Sequence, residues 1–397
     1  MARGLTGADN RRFNLSPARG IQSLAPRQRL VALGARPATL LRTPGWQQPA
    51  LTTNVSNTLK RLVRDCLALL VAGSSASAAS DLEQAAPLGP VFAVLEENDL
   101  IVDTDRHYTQ GIKFSFLFAD DDVPGCVQRF SDALPQLGFS KNTDRVGFVV
   151  GQSIYTPADL KQTALIPDDR PYAGWLYGGL VLHRRGRMLG SVPVLESLQL
   201  DLGIIGPESL SQEAQTWVHE LRDFEIFQGW RNQLKTEPGM ALRYQRSGRL
   251  SLGKTRRYLD LMPHAGFSLG NVETSFRGGG QLRVGLNLPE DFGVQHINSL
   301  LIPEGGWSTN RAGGGWGAYL FAGAEACVVG YTAFLDGNLF RDSHSVDKEP
   351  FVAEFKGGIM LLLGRVEAGA AYVYRSREFA GQDRENRYGS LFVKMTF

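Results

Sequence analysis

The chain has 397 residues, 43% hydrophobic and 21% charged, with 45 Gly and 3 Cys; this composition excludes a disordered chain, a collagen-like repeat and a disulfide scaffold, and no apolar run is long enough for a membrane-spanning helix. The formal net charge of +2 hides an uneven split: residues 1–79 hold 11 Lys/Arg against only Asp9 and Asp65, which leaves 31 basic and 38 acidic residues for the remainder. A mildly acidic body argues against nucleic-acid binding.

Residues 1–55 are rich in Arg, Ala and Pro without strong periodicity, as in a disordered extension or a start assigned too early. Residues 56–79 read as a secretory signal peptide. Lys60, Arg61 and Arg64 form its basic region, residues 66–73 its short apolar run, and Ala76, Ala78 and Ala79 its small-residue cleavage site. Cys66 precedes the apolar run and is therefore not a lipoprotein cysteine.

Residues 80–397 form the expected mature domain, a succession of strands. Twelve are expected, at about 91–97, 108–118, 145–154, 173–184, 194–204, 238–248, 256–270, 276–287, 316–328, 350–364, 366–377 and 388–397, with 330–341 a possible thirteenth. Period two marks them. In the second, Ile112, Phe114, Phe116 and Phe118 alternate with Gly111, Lys113, Ser115 and Leu117. In the fifth, Leu198, Leu200, Leu202 and Ile204 alternate with Ser197, Gln199, Asp201 and Gly203. In the last, Leu391 or Phe392, Val393, Met395 and Phe397 alternate with Lys394 and Thr396. A helix interrupts the series at about 209–223, with Ser209 or Ser211 as N-cap and acids in its first turn.

These strands are about twice the 5–6 residues usual in soluble sheets, and match the roughly 9–11 that cross a bilayer at a tilt. Glycines inside strands suit a crowded lumen. Aromatic residues near strand ends, among them Tyr172, Trp175, Tyr177, Tyr372, Tyr374, Tyr388 and Phe392, suit interfacial girdles. The expected fold is all-β: a transmembrane antiparallel β-barrel of about 12 strands with one extracellular helix, in the outer membrane.

Three polar constellations stand out. Asp99 and Thr109, between the first two strands, offer the oxygen ligands that Ca²⁺ prefers; a plain polar loop with a turn at 103–105 is the alternative. Lys161, Asp169 and Arg170 lie between strands three and four, the last two read as a loop-fixing ion pair. On the helix, Gln215 and His219 are four apart and share a face, and His219 suits proton transfer near neutral pH. If the N-terminus starts in the periplasm, connections one, three and five all emerge outside. Residues 248–255 match a phosphate-binding loop letter for letter, but a strand follows where that loop needs a helix, so they read as a hairpin turn. No G-x-S-x-G elbow occurs, and Cys126 and Cys327 fall at opposite membrane faces by the same parity, so no disulfide is expected between them.

These motifs resemble the outer-membrane lipid A 3′-O-deacylase family over about 92–397. The resemblance rests on END at 97–99, TDRHYTQG at 104–111, GQSIYTP at 151–157, DRPYAGWLY at 169–177, GIIGPESLSQEAQTWVHEL at 203–221, GWRNQLKTEP at 229–238 and LDGNLF at 335–340. It implies a twelve-stranded barrel that removes the 3′-linked acyloxyacyl group of lipid A with Ca²⁺. By position, Asn98 and Asp99 match the family's first-loop pair, with Asp99 serving the metal. Thr109 matches the hydroxyl of Y-T-x-G, Gln215 and His219 match Q-x-x-x-H, and Lys161 falls near the loop lysine. Gln110 stands where many relatives have Asn. The implied chemistry is ester hydrolysis at the outer surface by a monomer. His219 activates a water, Gln215 orients the water or the imidazole, and Asn98 and Thr109 complete a polar cradle. Asp99 and Thr109 hold Ca²⁺, and Lys161 steadies a lipid A phosphate. The alternatives are a phospholipase acting on glycerophospholipids, and a barrel without enzymatic activity.

Overall fold

A computed structural model describes residues 89–102, 107–120, 122–159, 161–221, 223–252, 258–294 and 315–397. The expected extension at 1–55, the signal peptide at 56–79 and the turn at 103–105 lie outside the described residues.

In chain order the strands are β1 (Val91–Asn98), β2 (His107–Leu117), β3 (Phe139–Thr156), β4 (Ala173–Met188), β5 (Val192–Ile205), β6 (Glu237–Gly248), the two-residue β7 (Leu250–Ser251), β8 (Leu259–Gly270), β9 (Glu273–Leu286), β10 (Trp316–Thr332), β11 (Phe351–Leu363), β12 (Val366–Arg375) and β13 (Asn386–Thr396). Each of the long strands pairs antiparallel with its neighbour in sequence, and β6 pairs directly with β8. β1 pairs with β13 from Val91↔Thr396 to Asn98↔Gly389, which closes a twelve-stranded barrel with β7 as a short addition. Connections one, three and five therefore meet at one rim, as the strand parity requires.

Two expected element bounds change. Residues 330–341 are not a strand: Thr332 ends β10, and Ala333–Asp336 form a single helical turn. β3 starts six residues before its expected position. Its polar opening is satisfied locally, because Lys141 pairs with Asp132 and Asp144, and Asp144 accepts from Ser131 of the short helix Gly125–Ala133. Of the phosphate-loop lookalike, residues 248–252 hold the end of β6 and β7, residues 253–255 lie outside the described residues, and the next described element is the strand β8.

The alternation is inside out relative to a soluble sheet. In β2, Phe114 is exposed while Lys113 and Ser115 are buried; in β5, Leu200 and Leu202 are exposed while Gln199 and Asp201 are buried. In β13 it is Leu391, not Phe392, that shares the outer face with Val393 and Met395. Apolar side chains thus face lipid, and polar ones face the lumen. Paired charges crowd the lumen among the described residues. Arg283 pairs with Asp260 (2.7 Å) and Asp291, Arg375 with Glu354 (2.8 Å), Arg243 with Asp201 (3.0 Å) and Lys394 with Glu367 (2.7 Å). Such charges are tolerated inside the barrel because each is paired.

The expected aromatic girdle is corrected in the same way. Trp175, Tyr177, Tyr388 and Phe392 are buried, and only Tyr372 of the set ranks among the exposed large side chains. Trp175 stacks on Tyr177 at 5.5 Å, and Tyr108 meets Tyr388 edge-on at 5.0 Å. These rings fill lumen volume that no lipid reaches.

Candidate active site

Strand register decides which side of the wall each residue serves. On β3, Phe148 and Val150 face lipid, and Gln152, Ile154 and Thr156 follow with the same parity. Gln110 pairs with Asn98 on one side and Ile154 on the other, and Ile154 pairs with Gly174. The row Asn98–Gln110–Ile154–Gly174 therefore runs along the outer wall close to the extracellular rim. A β-bulge between Tyr108 and Gln110 reverses the parity above it. Tyr108 turns inward and donates to Glu97 at 2.8 Å. Thr109 stays outside, its hydroxyl 2.7 Å from that of Thr156. Asp99 follows Asn98 and Thr109 precedes Gln110, so the hairpin brings Asp99 and Thr109 to adjacent positions, both buried.

The helix Ser211–Leu221 lies outside the β3 and β4 end of this row. Gln152 Nε2 donates to the Ser209 carbonyl at 2.7 Å. Beneath the helix start, a Cβ on Gly174 would lie 2.0 Å from Ser209 Oγ and 2.1 Å from Ser211 Oγ, so only glycine lets the helix rest on β4. Ser211, Gln215 and His219, four apart, turn to the wall and are buried. Ile154, Tyr172, Phe227 and Trp230 pack with Ala214 and join helix to barrel.

Two contacts set the chemistry. Trp230 Nε1–H donates to Gln215 Oε1 at 2.8 Å. That fixes the amide and leaves Gln215 Nε2 buried with no hydrogen-bond partner among the described residues. His219 Nδ1 lies 2.6 Å from the Glu225 carbonyl. A carbonyl only accepts, so Nδ1 carries the proton and Nε2 is the basic nitrogen. Phe224 and Phe227 hold the ring edge-on, at 5.9 and 5.3 Å.

The candidates thus fall into two groups, Gln215 with His219 on the helix and Asn98, Asp99 and Thr109 on the wall, with Ile154 and Thr156 of β3 between them. Lys161 is exposed, and its Nζ lies 3.0 Å from the Glu225 carboxylate. Asp169 and Arg170 fix their loop, but not as a mutual pair. Asp169 accepts from the backbone N–H groups of Ala158 and Arg170, both at 2.7 Å. Burial pushes its carboxyl pKa up, against those two hydrogen bonds. The Arg170 guanidinium instead reaches Glu378 at 3.2 Å and lies over the Tyr155 ring.

Sequence reasoning missed Gln152, Thr156, Glu225 and Trp230. Trp230 stands within the GWRN motif and was open to notice. Glu225 holds His219 through its backbone, which leaves no trace in residue type.

Among the described residues no three His, Cys, Asp or Glu side chains gather to hold a metal. The donors present are one buried carboxylate, Asp99, with the neutral oxygens of Asn98 and Thr109. That set fits a hard, oxygen-preferring cation and not a zinc-type ion.

A closed barrel with a lipid-facing belt and a buried histidine clamped to its outer wall defines an outer-membrane β-barrel of Gram-negative type, with its polar site on the leaflet side. The chain belongs to the outer membrane protein LpxR family, whose profile matches residues 66–397. It is similar in structure to LpxR from Salmonella typhimurium, with 18% identity and a TM-score of 0.58, over 77% of this chain and 100% of that one. The β domain of the Bordetella autotransporter BrkA has 12% identity and a TM-score of 0.36, over 78% and 98% of the two chains. The translocator domain of NalP from Neisseria meningitidis has 11% identity and a TM-score of 0.37, over 87% and 97%. No curated protein matches the sequence.

Proposed function

We propose that the protein hydrolyses the 3′-linked acyloxyacyl ester of lipid A at the outer face of the outer membrane, with Ca²⁺. The observation that carries this reading is His219: buried, tautomer-fixed, and held against the outer wall where a leaflet lipid arrives sideways. Family membership supports lipid A as the substrate, because the family is one of lipid A 3′-O-deacylases.

His219 Nε2 takes a proton from a water whose oxygen attacks the ester carbonyl carbon. The Glu225 carbonyl, accepting from Nδ1–H, stabilises the imidazolium that forms. The unpaired Gln215 Nε2–H donates to the developing oxyanion, in the orientation that Trp230 imposes. Collapse breaks the bond to the 3′-oxygen, which leaves with the proton from His219 Nε2; the products are a free acid and a 3′-hydroxyl. Asp99, with Thr109 and Asn98, would hold Ca²⁺, which supplies positive charge to the ester oxygen when bound. Lys161, exposed at the rim, is suited to a lipid A phosphate. No covalent intermediate is needed, in keeping with the missing serine elbow.

Mass spectrometry of lipid A from cells with and without the gene tests this. Loss of the 3′-acyloxyacyl mass only in cells carrying the gene is expected. Unchanged lipid A, with altered glycerophospholipids, would instead make the chain a phospholipase.

A further inference from the structure

The helix Ser211–Leu221 has three faces, not two. Ser211, Gln215 and His219 meet the wall. Gln212, Glu213 and Glu220 form an exposed polar stripe. Trp217 and Leu221, four apart, form a third stripe, and both are more than half exposed. At about 100° per residue, each stripe lies roughly a third of a turn from the next. A helix lying on a soluble surface needs only two faces, and a large exposed apolar stripe on it has no purpose there.

The surroundings identify what that third face meets. Leu210, just before the helix, is also more than half exposed, as are Leu339 and Phe340 of the connection after β10. The latter two are pinned to the same flank: their backbone N–H groups donate to the Glu237 carboxylate at 3.3 and 3.1 Å, and Asn338 Nδ2 donates to the Lys235 carbonyl at 2.8 Å. Directly below lies the outward row Leu176–Ile204–Pro238, in register across β4, β5 and β6. Gly174, on which the helix rests, is two residues above Leu176. The helix that carries the apolar stripe therefore starts one step above the lipid belt of β4, on the extracellular side.

We infer that Leu210, Trp217, Leu221, Leu339 and Phe340 form an interfacial collar along the β3–β6 flank, seated among the acyl chains of the outer leaflet just beneath the headgroups. The polar stripe faces the headgroups, and the wall stripe carries the site. The collar fixes the depth of the leaflet at the mouth of the site. A helix with a large apolar face beside a charged one lies in the interface in this way. The inference concerns where the leaflet meets this helix, and it stands whether or not the chain cleaves lipid A.

The test uses the folded full chain in phospholipid vesicles, with Trp217→Phe as reference. The difference in emission between the parent and Trp217→Phe isolates Trp217 from the other tryptophans; heat-modifiability on gels shows that the variant is folded. Chains brominated near their carbonyl end should quench the Trp217 emission by roughly half or more, as for a ring a few ångströms into the acyl boundary. Chains brominated near the methyl end, and aqueous acrylamide, should quench it much less. Strong quenching by acrylamide with none from brominated chains would overturn the collar in favour of a water-exposed surface. Shielding from both that grows with the protein-to-lipid ratio would overturn it in favour of a second copy.

Discussion

His219 carries the chemistry, and its burial decides how it is best tested. By its place on an extracellular helix alone, His219 could stand at the surface. The structure instead packs it against Phe224 and Phe227, so His219→Ala opens a void and mixes stability with catalysis. His219→Gln keeps most of the volume and hydrogen-bonding capacity but does not titrate near neutral pH. Turnover on lipid A by folded His219→Gln protein should fall by about 10²–10⁴-fold, the usual share of a positioned acid–base group. A near-parental rate would move the base elsewhere. Asp99→Asn separates the metal from the proton chemistry. It removes the one charged donor of the wall group, so affinity for Ca²⁺ should fall first and excess Ca²⁺ should restore much of the rate. Rates measured across a Ca²⁺ series would show this as a shifted midpoint. Full parental activity in a strong chelator would remove Ca²⁺ from the mechanism.

At the scale of the elements, the site depends on one helix resting on one strand. Gly174 permits that contact, because any Cβ would enter the space of Ser209 and Ser211. In Gly174→Val the helix must lift from β4, which withdraws Gln215 and His219 from the wall. The ladder of β3 and β4 needs no side chain at Gly174. Heat-modifiability should therefore stay near parental while lipid A hydrolysis falls by at least the factor seen for His219→Gln; retained activity in the folded variant would show that helix placement is not required. This contact also marks how much was legible beforehand. Period two located eleven of the strands closely, because a lipid belt enforces strict alternation. The helix and its Gln215–His219 face were legible for the same reason, from a single period. The position of Thr109 was not. One bulged residue between Tyr108 and Gln110 reverses which wall it serves, and no residue type announces that reversal. The opening of β3 was hidden too, because Lys141 and Asp144 look like loop residues until their partners are folded beside them.

For the whole molecule, two-fold alternation names two faces but not which is inside. Trp175, Tyr177 and Tyr388 fit an interfacial girdle and a filled lumen equally well by type, and the structure assigns them to the lumen. That assignment bears on the reading of the chain as a non-enzymatic pore. Stacked rings occupy the lumen together with the Arg283–Asp260–Asp291, Arg375–Glu354 and Lys394–Glu367 groups. A cavity of about 60 Å³ lies among Arg170, Glu273, Arg277 and Glu378, with room for a few waters. Twelve strands enclose far less than the sixteen or more of a general porin, and here these paired side chains and rings, among the described residues, occupy much of that space. The protein should therefore show no stable conductance steps in a planar bilayer, although it inserts as a folded, heat-modifiable barrel. Reproducible, ion-selective steps from the folded protein would revive the pore reading. A silent bilayer, with lipid A cleaved in the same preparation, would mean that substrate reaches the site across the outer wall, beside the helix, and never through the lumen.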